Sequence, residues 1–230
     1  MAPNDTKVEY SSENKLGKLP GYLVKGNGNA LIVLSEWWGA NEQIREQAEY
    51  LSKLSGFTTL VPDLYRGKVA VNHEEAGHLF TGLDWQGAVQ DIAGSVKYLK
   101  EQGCKKVSIT GYCMGGAIAL AAAVHVGKEL TATVPFYGIP KDQLADVTQI
   151  KIPVQCHFGT ADASKGFSAP EDQDVLEAKL KKGGVEYEFY RYEGAQHAFC
   201  HKDGPKYDEK ACNLAFERMI AFLKKHMGSE

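Results

Sequence analysis

Five consecutive residues, Gly111-Tyr112-Cys113-Met114-Gly115, set a thiol between two glycines where the apolar run VSIT passes into the small-residue stretch GGAIALAAAV. Small residues two before and two after a nucleophile relieve crowding in a sharp strand-to-helix turn. A thiol in that turn stands at the start of the following helix, where unpaired N–H groups and the helix dipole favour an anion. The Met114 N–H would then face a developing oxyanion. By itself the pentapeptide is equally compatible with a small buried cysteine in a tight turn.

The companions of Cys113 separate these readings. G-x-S-x-G, the serine version of the turn, is the nucleophile elbow of α/β-hydrolases, whose acid and histidine follow later in the chain on loops after strands. Here Thr160-Ala161-Asp162 follows the β-rich run PVQCHFG, and Glu193-Gly194-Ala195-Gln196-His197 follows VEYEFYRY. His197 would accept or balance the thiol proton, and Asp162 would hold the imidazole in the required tautomer. In isolation, His197 reads as a loop histidine and Asp162 as a turn or capping residue. Glu36 closes the run ALIVLS beside Trp37 and Trp38. A partly desolvated carboxylate there leans toward its protonated form and could hydrogen-bond the resting thiol; its bland alternative is a solvated loop acid. The Trp37 N–H is the natural second oxyanion donor.

Four such groups can meet only if the intervening chain builds parallel strands. Runs at 30–35, 57–62, 107–111, 132–138, 153–159 and 185–192 are short, β-rich and closed near Gly, Pro or charged clusters, with a further short strand at 21–24. Helical segments lie between them. Asn41 caps one with the stripe Ile44, Ala48, Leu51 and Leu54, ending at Gly56; Asp84 opens another with Ala88, Ile92, Val96 and Leu99, ending at Gly103. Residues 114–126 are apolar nearly all round, as in a helix packed between layers, and 172–182 and 208–225 complete the set. The alternation predicts one α/β domain over 1–230, a mostly parallel central sheet flanked by helices, with 1–18 as an edge or poorly ordered segment.

Composition agrees and excludes several classes. The 230 residues are 43% hydrophobic and 24% charged with 24 Gly and 8 Pro, an ordinary globular balance. A net charge of −3 offers no footprint for nucleic acid. The longest apolar stretch, 117–124, is too short for a bilayer, and MAPNDTKVEY has no basic segment followed by an apolar one, so no membrane and a cytoplasmic location are expected. The five cysteines at 104, 113, 156, 200 and 212 form no CxxC pair and read as reduced thiols, with Cys200 exposed on a loop and no zinc site.

At these residues the chain resembles the dienelactone hydrolase (carboxymethylenebutenolidase) family, a cysteine-nucleophile branch of the α/β-hydrolases. The likeness runs from about Pro20 to Phe222 and rests on SEWWGAN, VPDLYRG, GYCMGGA, PFYG, FGTAD and YEGAQHAF in family order. It implies a Cys113–His197–Asp162 triad, Glu36 holding the resting cysteine, and Trp37 and Met114 amides as the oxyanion hole. The implied reaction opens an ester or lactone through a thioester, with no metal or cofactor. Family members acting on dienelactone grip its carboxylate with two arginines, where this chain has His73 and His201. A mostly neutral imidazole does not reproduce a bidentate arginine, so dienelactone itself is not the expected substrate.

Trp85, Tyr112, Tyr137 and Phe199 are further candidates to line a pocket for a small ester or lactone, against the default that aromatics are core. A monomer or small homo-oligomer is expected. Rival readings are a thioesterase or thiol peptidase on the same residues, or a catalytically silent binder or thiol redox sensor, the latter suggested by the missing arginine pair and the extra Cys200 near His197.

Overall fold

A computed structural model describes residues 2–228. Eight strands form one sheet: β1 (Thr6–Tyr10), β2 (Leu19–Val24), β3 (Asn29–Leu34), β4 (Thr58–Pro62), β5 (Lys106–Tyr112), β6 (Thr133–Phe136), β7 (Val154–Gly159) and β8 (Tyr187–Tyr192), in spatial order β1-β2-β4-β3-β5-β6-β7-β8. β1 and β2 are antiparallel additions at one edge; β4, β3, β5, β6, β7 and β8 pair in parallel. Parallel strands need crossovers, and six helices supply them or close the faces: α1 (Glu42–Ser55), α2 (His73–Thr81), α3 (Trp85–Glu101), α4 (Met114–His125), α5 (Pro170–Lys182) and α6 (Glu209–Met227).

With both faces covered, β3, β4 and β7 are buried along their whole length, and none of these short β-rich runs presents a solvent-facing side. α4 packs nearly all round because Gly and Ala dominate it: every residue from Met114 to Ala123 is buried. α1 is capped as expected, the Asn41 side chain accepting from the Ile44 N–H and Gly56 closing the helix at φ 81°. Its inward stripe corrects the expectation at one position. Leu54 is exposed and Ser55 is buried, because a 3.6-residue period brings Ser55, not Leu54, back under Ile44 and Leu51.

Two elements escape the periodicity. β1 lies at the sheet edge and buries only Tyr10, and α2 buries only Ala76, so neither shows a strong apolar pattern. The signal for α2 was its cap: Asn72 accepts from the Glu75 N–H, and Glu75 accepts in return from the Val71 N–H.

The cysteines also depart from expectation. Cys200 and Cys212 form a disulfide with Cα atoms 5.1 Å apart, leaving Cys104, Cys113 and Cys156 free. Cys200 is buried, not exposed, because the first turn of α6 packs against the loop that carries it. The bond ties the segment after His197 to α6, and it removes reduced thiols as an argument for the cytoplasm. Among the described residues, no helix is long and apolar enough to cross a membrane.

Candidate active site

Parallel register sets Leu34 beside Gly111, Tyr112 beside Phe136, and Gly159 beside Tyr192. The strands therefore finish along one rim, and Glu36, Cys113, Asp162 and His197 all lie just past a carboxyl end there. Cys113 is the single residue between β5 and α4, with φ 56° and ψ −115°. A side chain pays for that backbone with strain, which only surrounding structure can enforce. The glycines explain how. A Cβ on Gly111 would collide with the Gly115 carbonyl, one on Gly115 would meet the Leu34 and Ser35 carbonyls at 2.6 Å, and one on Gly138 would collide with the carbonyl of Cys113 itself.

The elbow aims the thiol at the histidine. His197 Nε2 is 3.2 Å from Cys113 Sγ, and Nδ1 is 2.9 Å from Asp162 Oδ2. One group was not anticipated. The fully buried Ser168 hydroxyl donates to Asp162 Oδ2 at 2.8 Å and lies 3.0 Å from His197 Nδ1, so the Nδ1–H is shared between a carboxylate and a hydroxyl. Burial would raise the Asp162 carboxyl, but hydrogen bonds from His197, the Ser164 N–H and Ser168, with the His197 charge, hold it below its ordinary value. Burial, then the Glu36 charge, push the Cys113 thiol well up, while the Met114 and Trp37 N–H groups facing it pull the other way. Both N–H groups thus face the sulfur.

Glu36 is buried at 7% exposure but does not hold the thiol as expected. The sulfur is turned to His197, and Glu36 Oε2 instead accepts from the Tyr137 hydroxyl at 3.4 Å and lies 3.4 Å from His201 Nδ1. The His201 contact is at ion-pair distance without the alignment of a hydrogen bond, and Nδ1 has no hydrogen-bond partner among the described residues. Chiefly through Glu36, the His201 imidazole is held above its ordinary value.

A cleft of about 690 Å³ opens over the sulfur. Glu36, Trp37, Cys113 and His197 lie in its wall, together with His73 and His201. His73, at the start of α2, sets its ring edge-on to Trp38 at 5.1 Å. Three expected lining residues are core instead. Tyr112 is buried against Phe136 and Phe216, because the residue beside Cys113 turns inward when Cys113 turns out. Phe199 packs beneath the rim on Tyr137 and Tyr192. Tyr137, also fully buried, backs the site, its ring 5.2 Å from that of His197. Trp85 lines a neighbouring cavity, not this cleft. Among the described residues no three His, Cys, Asp or Glu side chains are grouped to hold a metal.

A family model described as "Dienelactone hydrolase family" matches residues 19–227. "Protein usf" of Aquifex pyrophilus is 32% identical over 222 residues, covering 91% of this chain and 94% of that protein. The carboxymethylenebutenolidase of Pseudomonas putida is 28% identical over 237 residues, covering 97% of each. Among solved structures, a dienelactone hydrolase-like promiscuous phosphotriesterase from metagenomic libraries superposes with a TM-score of 0.80 at 20% identity, covering 96% of this chain and 98% of that one; it speaks to the fold alone.

Proposed function

Because this chain belongs to the dienelactone hydrolase family, we propose that it opens small lactones or cleaves carboxylic esters through a thioester on Cys113. The observation that carries this reading is the strained thiol 3.2 Å from His197 Nε2 at the floor of an open cleft.

In the proposed cycle, His197 takes the Cys113 proton as the sulfur attacks the carbonyl carbon, and Asp162 stabilises the imidazolium through Nδ1. The negative charge arriving on the carbonyl oxygen is met by the N–H groups of Trp37 and Met114. Collapse breaks the C–O bond, with His197 returning its proton to the leaving alkoxide; in a lactone that alcohol stays tethered to the acyl group. Water, deprotonated by His197, then attacks the thioester, releasing the carboxylate and restoring the thiol. Burial and Glu36 keep the thiol neutral at rest, so the thiolate forms as its proton passes to His197.

Thioesters and activated amides would enter the same cycle, and their relative turnover is part of the test. The redox-sensor alternative loses one of its two motives, since Cys200 is bonded to Cys212 and buried. Quenching the enzyme with an activated ester and mapping the adduct by mass spectrometry should place one acyl group on Cys113. An active preparation with no acyl-Cys113 would refute the mechanism.

A further inference from the structure

Two aromatic rings stand at one edge of the cleft over Cys113. Phe80, near the end of α2, and Phe167, in the loop after β7, stand edge to face with centroids 6.4 Å apart. Both belong to the catalytic cleft and to a second cavity of about 560 Å³, which also shares Lys141 and Gly166 with the first. The two chambers adjoin across a wall of four shared residues.

The farther chamber is apolar where it matters. Leu83, Trp85, Ile139 and Leu144 line it and are only partly buried. The acid on its wall, Asp84, is already committed, accepting from the Gly87 N–H at 3.0 Å and lying 3.3 Å from Lys15 Nζ. An aromatic wall connects the chambers: Trp37, whose N–H faces the sulfur, has its ring 6.4 Å from Phe80, which stands 5.3 Å from Trp85. Folding gains nothing from leaving these side chains half open to water around a concavity, whereas an apolar ligand that covers them gains their burial.

We propose that this second chamber is a subsite for an apolar arm of the substrate, so that the favoured class is an ester or lactone bearing a linear alkyl chain or a single aryl ring on one side of the carbonyl. The proposal rests on the hydrolase reading of Cys113 and narrows its substrate. The arm threads between Phe80 and Phe167 while the carbonyl stays over the sulfur. Because Phe167 also lies 6.0 Å from the His197 ring, the passage begins beside the group that protonates the leaving alcohol.

Two substrate series with the full chain test this: methyl esters from acetate to hexanoate, and acetates from methyl to hexyl. Each fully buried methylene multiplies kcat/KM by up to about fourfold, so one series should climb by at least about 30-fold, and which one climbs tells whether the acyl or the alcohol arm enters. Leu83→Trp or Leu144→Trp, each checked for an intact melting transition, fills the chamber and should collapse the long-to-short ratio through KM. Two flat series, or a climb that survives both tryptophan variants, would overturn the subsite. Acetyl-Cys113 detected alongside flat series removes the subsite and leaves the hydrolase standing; no acyl-Cys113 from any ester removes both.

Discussion

Two networks of buried polar side chains flank this sheet, and they end differently. In one, the Asp91 carboxylate on α3 accepts from Ser12 Oγ and Arg66 Nη2 at Oδ1, and from Asn14 Nδ2 and Arg66 Nη1 at Oδ2, at 2.5 to 3.0 Å. Every lone-pair direction is used, and the network closes on itself, pinning the segment after β1 and the loop after β4 onto α3. In the other, Asp162 and Ser168 orient His197, and the chain of contacts stops at Cys113, a strained residue facing a cleft. Satisfaction of buried polar groups is common to both. What marks a reaction site is a network that runs out at a nucleophile with room above it.

Removing the sulfur is the sharpest way to break the contrast. Cys113→Ala should lower kcat/KM by at least about 1,000-fold, while the denaturant midpoint implies a stability change of under about 1 kcal/mol. Relief of the elbow's strain is limited, since alanine has the same Cβ. A variant that unfolds would place Cys113 with the closed networks.

Asp91→Ala should do the reverse. It strands Arg66, whose side chain is 16% exposed, beside two other orphaned donors, Ser12 Oγ and Asn14 Nδ2, and losing one partner of a buried ion pair costs about 3–5 kcal/mol. Denaturant unfolding measures that loss, and turnover per folded molecule should stay within a few-fold of wild type.

The open network was largely legible in the sequence and the closed one was not. Cys113, Asp162 and His197 each follow a β-rich run and sit in a turn with its own residue signature, so parallel topology alone brings them together. Ser168 carries no such mark: it lies six residues after Asp162 but reaches His197 only because the loop folds back before α5. Asp91 had a faint one, a charge on the buried face of α3 between Ala88 and Ile92. Tyr112 and Phe199 show the opposite error, where closeness in sequence to a reacting residue was mistaken for closeness in space: Tyr112 ends an extended strand and points to the side opposite Cys113, and Phe199, in the turn after His197, packs onto Tyr137 and Tyr192. α2, with Phe80 on the cleft wall, stayed hidden because a helix on a cleft rim buries too little to show a period.

His157 offers a third network for comparison, closed and fully buried, with Nδ1 2.8 Å from the Tyr192 hydroxyl and Nε2 2.8 Å from Gln155 Oε1. Burial lowers its value from 6.5 to about 3. As pH falls below 6.5 the unfolded chain takes a proton that the folded one refuses, so stability drops with acid. Between pH 6 and pH 4 the stability of wild type should fall about 1.4 kcal/mol per pH unit more steeply than that of His157→Gln, read from urea unfolding at each pH. Equal slopes would mean the imidazole is not sealed.

Within the open network, Ser168 should act by positioning. Ser168→Ala leaves the Asp162–His197 bond but frees the ring to tilt, and one hydrogen bond of about 1 kcal/mol predicts a kcat loss of roughly three- to tenfold with little change in KM. Ser168→Thr, which keeps the hydroxyl, should recover most of it. A shifted acid limb in the pH profile of kcat/KM for the alanine variant would separate this role from plain packing.

The smallest effect belongs to His201, which faces Glu36 and the Trp38 ring and feels Asp203. Its folded value is raised, so the Glu36 pair contributes fully below the ordinary value of 6.5 and is lost as pH rises through the folded value. His201→Gln should therefore be less stable than wild type at pH 6, by under about 1 kcal/mol because the contact is poorly aligned and partly screened, and indistinguishable at pH 9. A deficit that grew with pH would mean that neutral His201 is what the site holds.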